Sequence, residues 1–235
     1  MPAEGIVWMA APSASDMVVV ITGGDPVERA HLPELPPGTR VIAADSGIEQ
    51  AQALDLPIDL AVGDFDSVTP EALAAAREAG ASIVQHPAAK DATDLELALD
   101  AALAMGARLV HVLGGHGGRL DHLLANALLL ARPAYAGVAV TAQMGAARVA
   151  VVRTRATLRG PVGDLVTVLP VHGSAHGVTT QGLLYPLRGE DLHEGSTRGV
   201  SNELIDDPAT VALTAGVLVA IQPGQLGTHH QETLR

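Results

Sequence analysis

The first 145 residues alternate short, continuously apolar runs with segments of helical spacing, and this alternation constrains the fold more than any other feature. The apolar runs lie at residues 17–22, 40–44, 59–62, 82–85, 108–113 and 137–141. Runs of Val, Ile and Leu without polar alternation are typical of strands buried on both faces of a parallel sheet. The helical segments between them lie at residues 48–54, 70–79, 93–105 and 120–131. We therefore expect an open α/β sheet with right-handed crossovers.

The periodicity changes after about residue 144. Short β-rich runs punctuated by Gly and Pro follow, at residues 148–153, 164–169, 177–184, 210–214 and 217–222. This pattern predicts a small antiparallel β-sandwich. We predict a mainly parallel, Rossmann-like α/β domain over residues 17–145 and a β-sandwich domain over residues 146–222. Residues 1–16 and 223–235 are predicted to be flexible tails.

Charge and composition narrow the classes of partner. The net charge is −12, from 26 acidic and 14 basic residues, and such a surface repels the phosphates of nucleic acid. The chain has no cysteine, which fits a cytoplasmic protein without disulfides. It has no unbroken apolar run long enough to span a membrane, and the apolar stretch 123–131 is expected to form a buried helix. We expect a cytoplasmic protein with neither a nucleic-acid nor a membrane partner.

Acidic residues follow the predicted strands of the first domain at the points where the strands end. Ligands bind at the carboxyl ends of strands in an open parallel sheet, so these side chains are expected to share one edge. They are Asp45, Asp64, Asp66, Asp91, Asp94 and Asp121. So many carboxylates at one edge would repel each other unless a cation lies among them. Mg²⁺ is the natural candidate because it prefers oxygen ligands and usually binds carboxylates together with substrate phosphates.

Glycine-rich segments follow two of the same strands, at residues 23–24 and 114–118. Glycine allows backbone N–H groups to approach phosphate oxygens closely, and Arg119 stands at the start of a predicted helix, where an anion is favoured. Each feature also has a structural explanation, as an Asx turn, a helix-capping charge or an ordinary tight turn. The recurrence of all three at one edge favours phosphoryl-type transfer from a nucleotide.

The motifs that carry these residues resemble those of the thiamine diphosphokinases in order and spacing, over residues 18–222. They are Asp45-Ser46-Gly47, Gly63-Asp64-Phe65-Asp66-Ser67, Lys90-Asp91-Ala92-Thr93-Asp94, the segment 114–122, the segment 182–187 and the segment 196–203. The resemblance implies Mg²⁺-dependent transfer of diphosphate from ATP to the hydroxyethyl group of thiamine, giving thiamine diphosphate and AMP. It also implies a homodimer whose sites are shared between the α/β half of one subunit and the sandwich of the other.

The same resemblance implies roles for individual residues. Mg²⁺ and the reacting phosphates would lie among Asp64, Asp66 and Asp94, and the catalytic set is completed by Arg119 and Asp121. Contacts to the nucleotide and substrate are expected from Gly23, Gly24, Asp45, Ser46, Gly47, Lys90, Asp91, Thr93, Gly115, Gly117, Gly118 and His122. Tyr185 matches an aromatic position near thiamine, and Ser201 and Asn202 match positions near its pyrimidine ring.

Three other functions remain open at the level of sequence. Related α/β domains transfer diphosphate to a hydroxymethyl pterin. The segment Asp64-Phe65-Asp66 looks like the nucleophile motif of aspartyl-phosphate phosphatases, although it follows the third predicted strand here and the first strand there. A non-catalytic sensor of nucleotide or thiamine is the third alternative, which the full set of aspartates disfavours.

Overall fold

The computed structural model of the chain describes residues 16–224. Within this range the chain divides into two units between Gly145 and Ala146. The expectation of flexible tails at residues 1–15 and 225–235 lies outside the described residues. No helix within residues 16–224 combines the length and the apolar character needed to cross a membrane.

The first unit is an open sheet of six strands that all run parallel. The strands are β1 (Met17–Thr22), β2 (Arg40–Ala44), β3 (Leu60–Gly63), β4 (Ser82–Gln85), β5 (Leu109–Leu113) and β6 (Ala139–Met144). They lie in the order β6-β5-β1-β2-β3-β4. The chain thus builds the sheet in one direction from β1 and then returns to add β5 and β6 on the other side. This reversal makes the carboxyl ends of β1 and β5 the place where a ligand crevice is expected.

Four helices connect these strands: α1 (Gly47–Ala53), α2 (Pro70–Glu78), α3 (Asp94–Ala104) and α4 (Leu120–Leu130). Short 3-10 turns at Arg29–His31 and Pro133–Tyr135 complete the unit. The hydroxyl of Thr69 accepts a hydrogen bond from the N–H of Ala72, at 3.3 Å, and so caps α2. Thr93 caps α3 in the same way through the N–H of Glu96, at 3.2 Å. Because an N-cap residue lies outside the helix, α3 begins at Asp94 rather than at the predicted residue 93.

Two expectations about burial in this unit are wrong. Strand β4 lies at the edge of the sheet, so most of its residues are exposed instead of being covered on both faces. Helix α4 was expected to be buried, but Leu120, Leu124 and Leu128 are 66%, 56% and 47% exposed. These leucines are spaced four residues apart, so they form one apolar stripe along the helix. Only its last residue, Leu130, is buried.

The second unit is an antiparallel β-sandwich, as expected. Its strands are β7 (Ala147–Val152), β8 (Arg155–Leu158), β9 (Leu165–Pro170), β10 (Ala175–Gln181), β11 (Arg188–Leu192), β12 (Asn202–Glu203), β13 (Ala209–Ala212) and β14 (Leu218–Gln222). The order is β12-β9-β14-β7 in one sheet and β11-β10-β13-β8 in the other. Both sheets contribute to a single core, with Val168 and Leu218 from the first and Val178 and Val211 from the second. Face-to-face packing of two inner faces in this way defines a sandwich.

The sequence did not indicate β8, β11 or β12. Strand β11 reads Arg-Gly-Glu-Asp-Leu and offers no apolar alternation, because only Leu192 is buried. Strand β12 contains two residues, which is too short for any periodicity. Both strands are defined by their partners, β10 and β9, and pairing between distant segments is a tertiary property.

Candidate active site

A cleft of about 440 Å³ lies at the carboxyl ends of the parallel strands in the first unit. Residues that follow β1, β2, β3 and β5, together with the start of α3, line it. Of the residues predicted for the site, the lining includes Gly23, Gly24, Asp45, Ser46, Asp64, Asp66, Thr93, Asp94, Gly115, Gly117, Gly118, Arg119 and His122. The parallel topology thus brings side chains from distant segments to one edge of the sheet.

Three carboxylates in this cleft are close enough to share a cation. Asp45, Asp64 and Asp66 each offer one oxygen, and these oxygens lie within 4.8 Å of one another. The Oδ1 atom of Asp45 is buried and has no hydrogen-bond partner among the described residues. Burial raises the pKa of Asp45, and the neighbouring carboxylates of Asp94, Asp64 and Asp66 add to that rise. An orphaned oxygen in a cluster of like charges is the donor set that a hard divalent cation requires.

Asp94, which the sequence grouped with Asp64 and Asp66, lies beside this cluster and contacts Lys90. The Lys90 ammonium lies 2.7 Å from Asp94 Oδ1 and 3.0 Å from Asp64 Oδ2. The hydrogen bond from Lys90 holds the pKa of Asp64 below its usual value. Burial lowers the pKa of Lys90, but its hydrogen bonds to Asp94 and Asp64 outweigh that effect and raise it. Lys90 does not line the cleft, so in this structure it contacts carboxylates rather than the space where a nucleotide would lie.

Glycine is required in the cleft wall because neighbouring backbone atoms lie too close to leave room for a Cβ atom. At Gly24, φ is +119°, and a Cβ atom there would lie 2.1 Å from the carbonyl oxygen of His116. The N–H of the next residue, Asp25, donates to the same carbonyl at 2.8 Å, which fixes the two glycine-rich segments against each other. Gly47 was expected to contact the nucleotide or substrate. It starts α1 against the carbonyl oxygen of Ile21, 2.1 Å from where its Cβ would lie, and does not line the cleft.

Arg119 and Asp121 form an exposed pair at the start of α4. Arg119 donates from Nε and from its terminal guanidinium nitrogen to the two oxygens of Asp121, at 2.9 and 2.6 Å. This hydrogen bonding raises the pKa of Arg119 and holds the pKa of Asp121 well below its usual value. Only Arg119 of the pair lines the cleft. Asp91, predicted to contact the nucleotide, is exposed and lies outside the lining.

Five polar residues of the lining were not assigned to the site from sequence: Thr22, Asp25, Ser67, His116 and Asn126. Asn126 lies on α4 and donates to the carbonyl of Gly115 at 3.0 Å, so it ties the helix to the glycine-rich loop. The sequence could have indicated this residue, because Asn126 is the only polar residue between Leu123 and Leu130. The Nδ1 atom of His116 is buried without a hydrogen-bond partner among the described residues.

In the second unit, Tyr185 and Asn202 form a structural pair. Tyr185 is 66% exposed, whereas Asn202 is buried. The Asn202 side chain accepts from the N–H of Tyr185 at 3.0 Å and donates to the Tyr185 carbonyl at 2.8 Å. Ser201 has a φ of +56°, and its N–H donates to the hydroxyl of Thr167 at 3.1 Å. The amide of Asn202 therefore fixes the backbone that presents the exposed aromatic ring.

Comparisons with known proteins match both units. Residues 37–142 match the thiamin pyrophosphokinase catalytic domain, and residues 154–218 match the thiamin pyrophosphokinase vitamin B1 binding domain. A thiamine pyrophosphokinase of Bacillus subtilis (strain 168) is 31% identical over 177 residues, which cover 71% of this chain and 78% of that protein.

Solved structures agree with these sequence matches. A crystal structure of thiamine pyrophosphokinase from Bacillus subtilis has a TM-score of 0.77 at 27% identity, covering 89% of this chain and 100% of that one. That of a thiamin pyrophosphokinase family protein from Enterococcus faecalis has a TM-score of 0.74 at 28% identity, covering 89% and 100%. That of thiamin pyrophosphokinase from Geobacillus thermodenitrificans has a TM-score of 0.76 at 27% identity, covering 90% and 99%.

The first unit is a parallel α/β unit with an acidic cleft walled by glycines, and the second unit is an antiparallel sandwich. With the matches above, these features define the chain as a transferase of the kinase type. The class can be narrowed further, because both units match one family in the order in which they occur. The chain belongs to the thiamin pyrophosphokinase family and is an enzyme. Membership supports the general activity that the family name describes, synthesis of thiamine diphosphate from thiamine.

Proposed function

We propose that this enzyme transfers the diphosphate group of ATP to the hydroxyethyl oxygen of thiamine, with Mg²⁺ held in the acidic cleft. The observation that carries the proposal is the gathering of Asp45, Asp64 and Asp66 beside glycine-rich backbone at one edge of the sheet. Backbone N–H groups and a cation are what a polyphosphate chain requires for binding. The match of the second unit to a vitamin B1 binding domain supports thiamine as the acceptor.

Asp45, Asp64 and Asp66 are the proposed metal ligands, with Asp94 beside them. This set includes Asp45, which the resemblance alone did not place at the metal. The orphaned Oδ1 atom of Asp45 supports its inclusion, because a buried oxygen without a partner gains most from a cation. When bound, Mg²⁺ would supply positive charge next to the phosphoryl oxygens during the transfer.

In the proposed reaction, the hydroxyethyl oxygen of thiamine forms a bond to the β-phosphorus of ATP. The bond from this phosphorus to the oxygen bridging the α- and β-phosphates breaks, and AMP leaves with that oxygen. The hydroxyl proton passes to a carboxylate, for which Asp66 and Asp94 in the cleft lining and Asp121, paired with Arg119, are the candidates. Because attacking and leaving oxygens must be nearly in line, positioning supplies much of the catalysis. Arg119 would hold the transferred group, since its planar fork matches phosphate oxygens.

Thiamine is proposed to bind with its rings against Tyr185, in a homodimer whose sites are shared between subunits. The exposed leucine stripe of α4, formed by Leu120, Leu124 and Leu128, supports self-association. A contiguous apolar patch on a protein surface commonly marks an interaction site. The exposure of Tyr185 supports its use as a stacking surface, because an aromatic ring open to solvent gains by covering a flat ligand.

Product analysis tests the proposal directly. Purified protein is mixed with ATP, Mg²⁺ and thiamine, and the products are identified by mass spectrometry. The expected products are AMP and thiamine diphosphate in equal amounts, with none formed when thiamine is omitted. ADP with thiamine monophosphate would place the attack on the γ-phosphorus instead. A parallel reaction with a hydroxymethyl pterin as the acceptor is expected to yield no AMP.

A further inference from the structure

Lys90 is the only lysine in the chain. The 14 basic residues are 13 arginines and this one lysine. Arginine is therefore the cation that this protein uses everywhere else, including in its exposed ion pairs. The two side chains are not equivalent, because the ammonium is a compact point charge and the guanidinium is a broad planar fork. Lys90 is therefore the one side chain with which this chain supplies a compact ammonium instead of a guanidinium.

The Lys90 ammonium lies between two carboxylates that are largely covered from solvent. It bridges two different carboxylates, those of Asp64 and Asp94, and all three side chains are largely covered, at 13%, 14% and 27% exposure. The ion pair of Arg29 with Asp55, in contrast, has exposures of 62% and 85%. Solvent screens an exposed pair almost completely, whereas a covered pair keeps much of its interaction. The ion pairs of Lys90 with Asp64 and Asp94 are thus largely covered from solvent and lie at the acidic cluster.

The charge balance around the cleft explains why a cation is needed there before any metal binds. Asp45, Asp64 and Asp66 each have an oxygen within 4.8 Å of the others, and Asp94 contacts the same ammonium as Asp64. Four carboxylates so near each other oppose folding unless positive charge lies between them. The Lys90 ammonium is in direct contact with two of the four.

We propose that Lys90 is a resident counter-cation of the metal site, which holds Asp64 and Asp94 in place when no divalent metal is bound. The inference rests on the proposed function only in taking the acidic cluster to be a Mg²⁺ site. It makes Lys90 a positioning residue instead of a nucleotide ligand. Arginine is expected to serve less well, because its longer, planar head group does not place one compact charge between two carboxylates at 2.7 and 3.0 Å.

Thermal unfolding of the metal-free protein with and without Mg²⁺ tests the proposal without reference to activity. Lys90→Met is expected to lower the Tm of the metal-free protein by about 2–4 °C for each 1 kcal/mol of interaction lost. Mg²⁺ is expected to raise the Tm of this variant more than that of the wild type, because the metal replaces the missing charge. Lys90→Arg is expected to lower the Tm less than Lys90→Met does, because it keeps the positive charge but not its compact shape. Arg29→Met removes one positive charge from an exposed pair and is the matched control, with no change in the response to Mg²⁺.

A single lysine also permits a direct observation in the wild-type protein. Labelling lysine with ¹⁵N at Nζ gives one side-chain ammonium signal by nuclear magnetic resonance, and it is expected to shift when Mg²⁺ is titrated. An unchanged signal at saturating Mg²⁺, or a Lys90→Met variant with normal stability and a normal Mg²⁺ response, would overturn the proposal. Loss of nucleotide affinity alone in that variant would do the same, because it would make Lys90 a ligand. Product analysis of the wild type is independent of all these outcomes, so failure of the proposed function would be recognised separately.

Discussion

Asp45 combines an uncommon backbone conformation with a place in the acidic cluster. Its φ is +47°, in the left-handed region that aspartate and asparagine tolerate better than most residues. Its N–H donates to the carbonyl of Val62, at 3.0 Å, so the turn after β2 is tied to β3. This turn directs a carboxylate with an unpaired, buried oxygen towards the other acidic side chains.

Asp45→Asn is expected to lower Mg²⁺-dependent turnover about a hundredfold or more while leaving the metal-free fold as stable as the wild type, or more so. Asparagine keeps the size and the backbone preference but loses the charge. Burial raises the pKa of Asp45, so keeping this carboxylate ionised costs more free energy in the folded protein than in the unfolded chain, and the neutral amide relieves that cost. Steady-state kinetics and thermal unfolding measure the two effects.

The control for this variant is Glu78→Gln, which removes one negative charge from an exposed residue outside the cleft lining. It is expected to retain nearly normal turnover. Near-normal turnover in Asp45→Asn itself, with the fold intact, would remove Asp45 from the metal site.

At the scale of elements, the loop that carries Tyr185 is held by a segment distant in the sequence. Leu183 and Leu204 form an antiparallel bridge, and the N–H of Leu184 donates to the carbonyl of Glu203 at 2.9 Å. Asn202 completes this arrangement with its two hydrogen bonds to the Tyr185 backbone. These contacts hold the backbone of the loop on which the exposed Tyr185 side chain stands.

Asn202→Ala is therefore expected to raise the KM for thiamine about tenfold while kcat changes little, because two backbone hydrogen bonds that orient Tyr185 are lost. Asn202→Asp keeps the acceptor for the Tyr185 N–H but loses the donor, and an intermediate KM is expected. Kinetics with thiamine varied at saturating ATP measure the effect. Gln181→Ala, at an exposed position of β10, is the control. A change confined to the KM for ATP would contradict the assignment.

At the scale of the whole molecule, the proposed sharing of sites between subunits has a consequence that one chain alone cannot show. Asp66→Asn impairs the α/β half and Tyr185→Ala impairs the sandwich half. In a mixed dimer, one site would receive both defects and the other would receive neither. Refolding the two variants together is expected to restore about a quarter of wild-type activity, for random pairing in a two-fold dimer.

The measurement is an assay at thiamine concentrations below KM, with each variant refolded alone as the reference. If the mixture shows no more activity than the two variants measured separately, each site is contained within one chain. Analytical ultracentrifugation of the same samples gives the oligomeric state. A monomer at assay concentrations would contradict the proposed dimer.

The sequence by itself determined the parallel order of local elements and the edge at which the chemistry lies. Continuous apolar runs ending in Asp or Gly fix strand ends, and parallel strands bring those ends together whatever the details of packing. That is why Asp64, Asp66 and Gly24 line the cleft as expected. The order and spacing of the motifs also indicated the family, because each motif reflects local backbone geometry that is encoded within a few residues.

Tertiary structure alone decided which charges meet. Asp45 joins Asp64 and Asp66 in the cluster, whereas Asp94 contacts Lys90, because these distances depend on turns from separate strands. It also decided burial, leaving the leucines of α4 exposed and β4 at an edge. Local sequence specifies the period of an element, but contacts between residues far apart in the chain determine what that element faces.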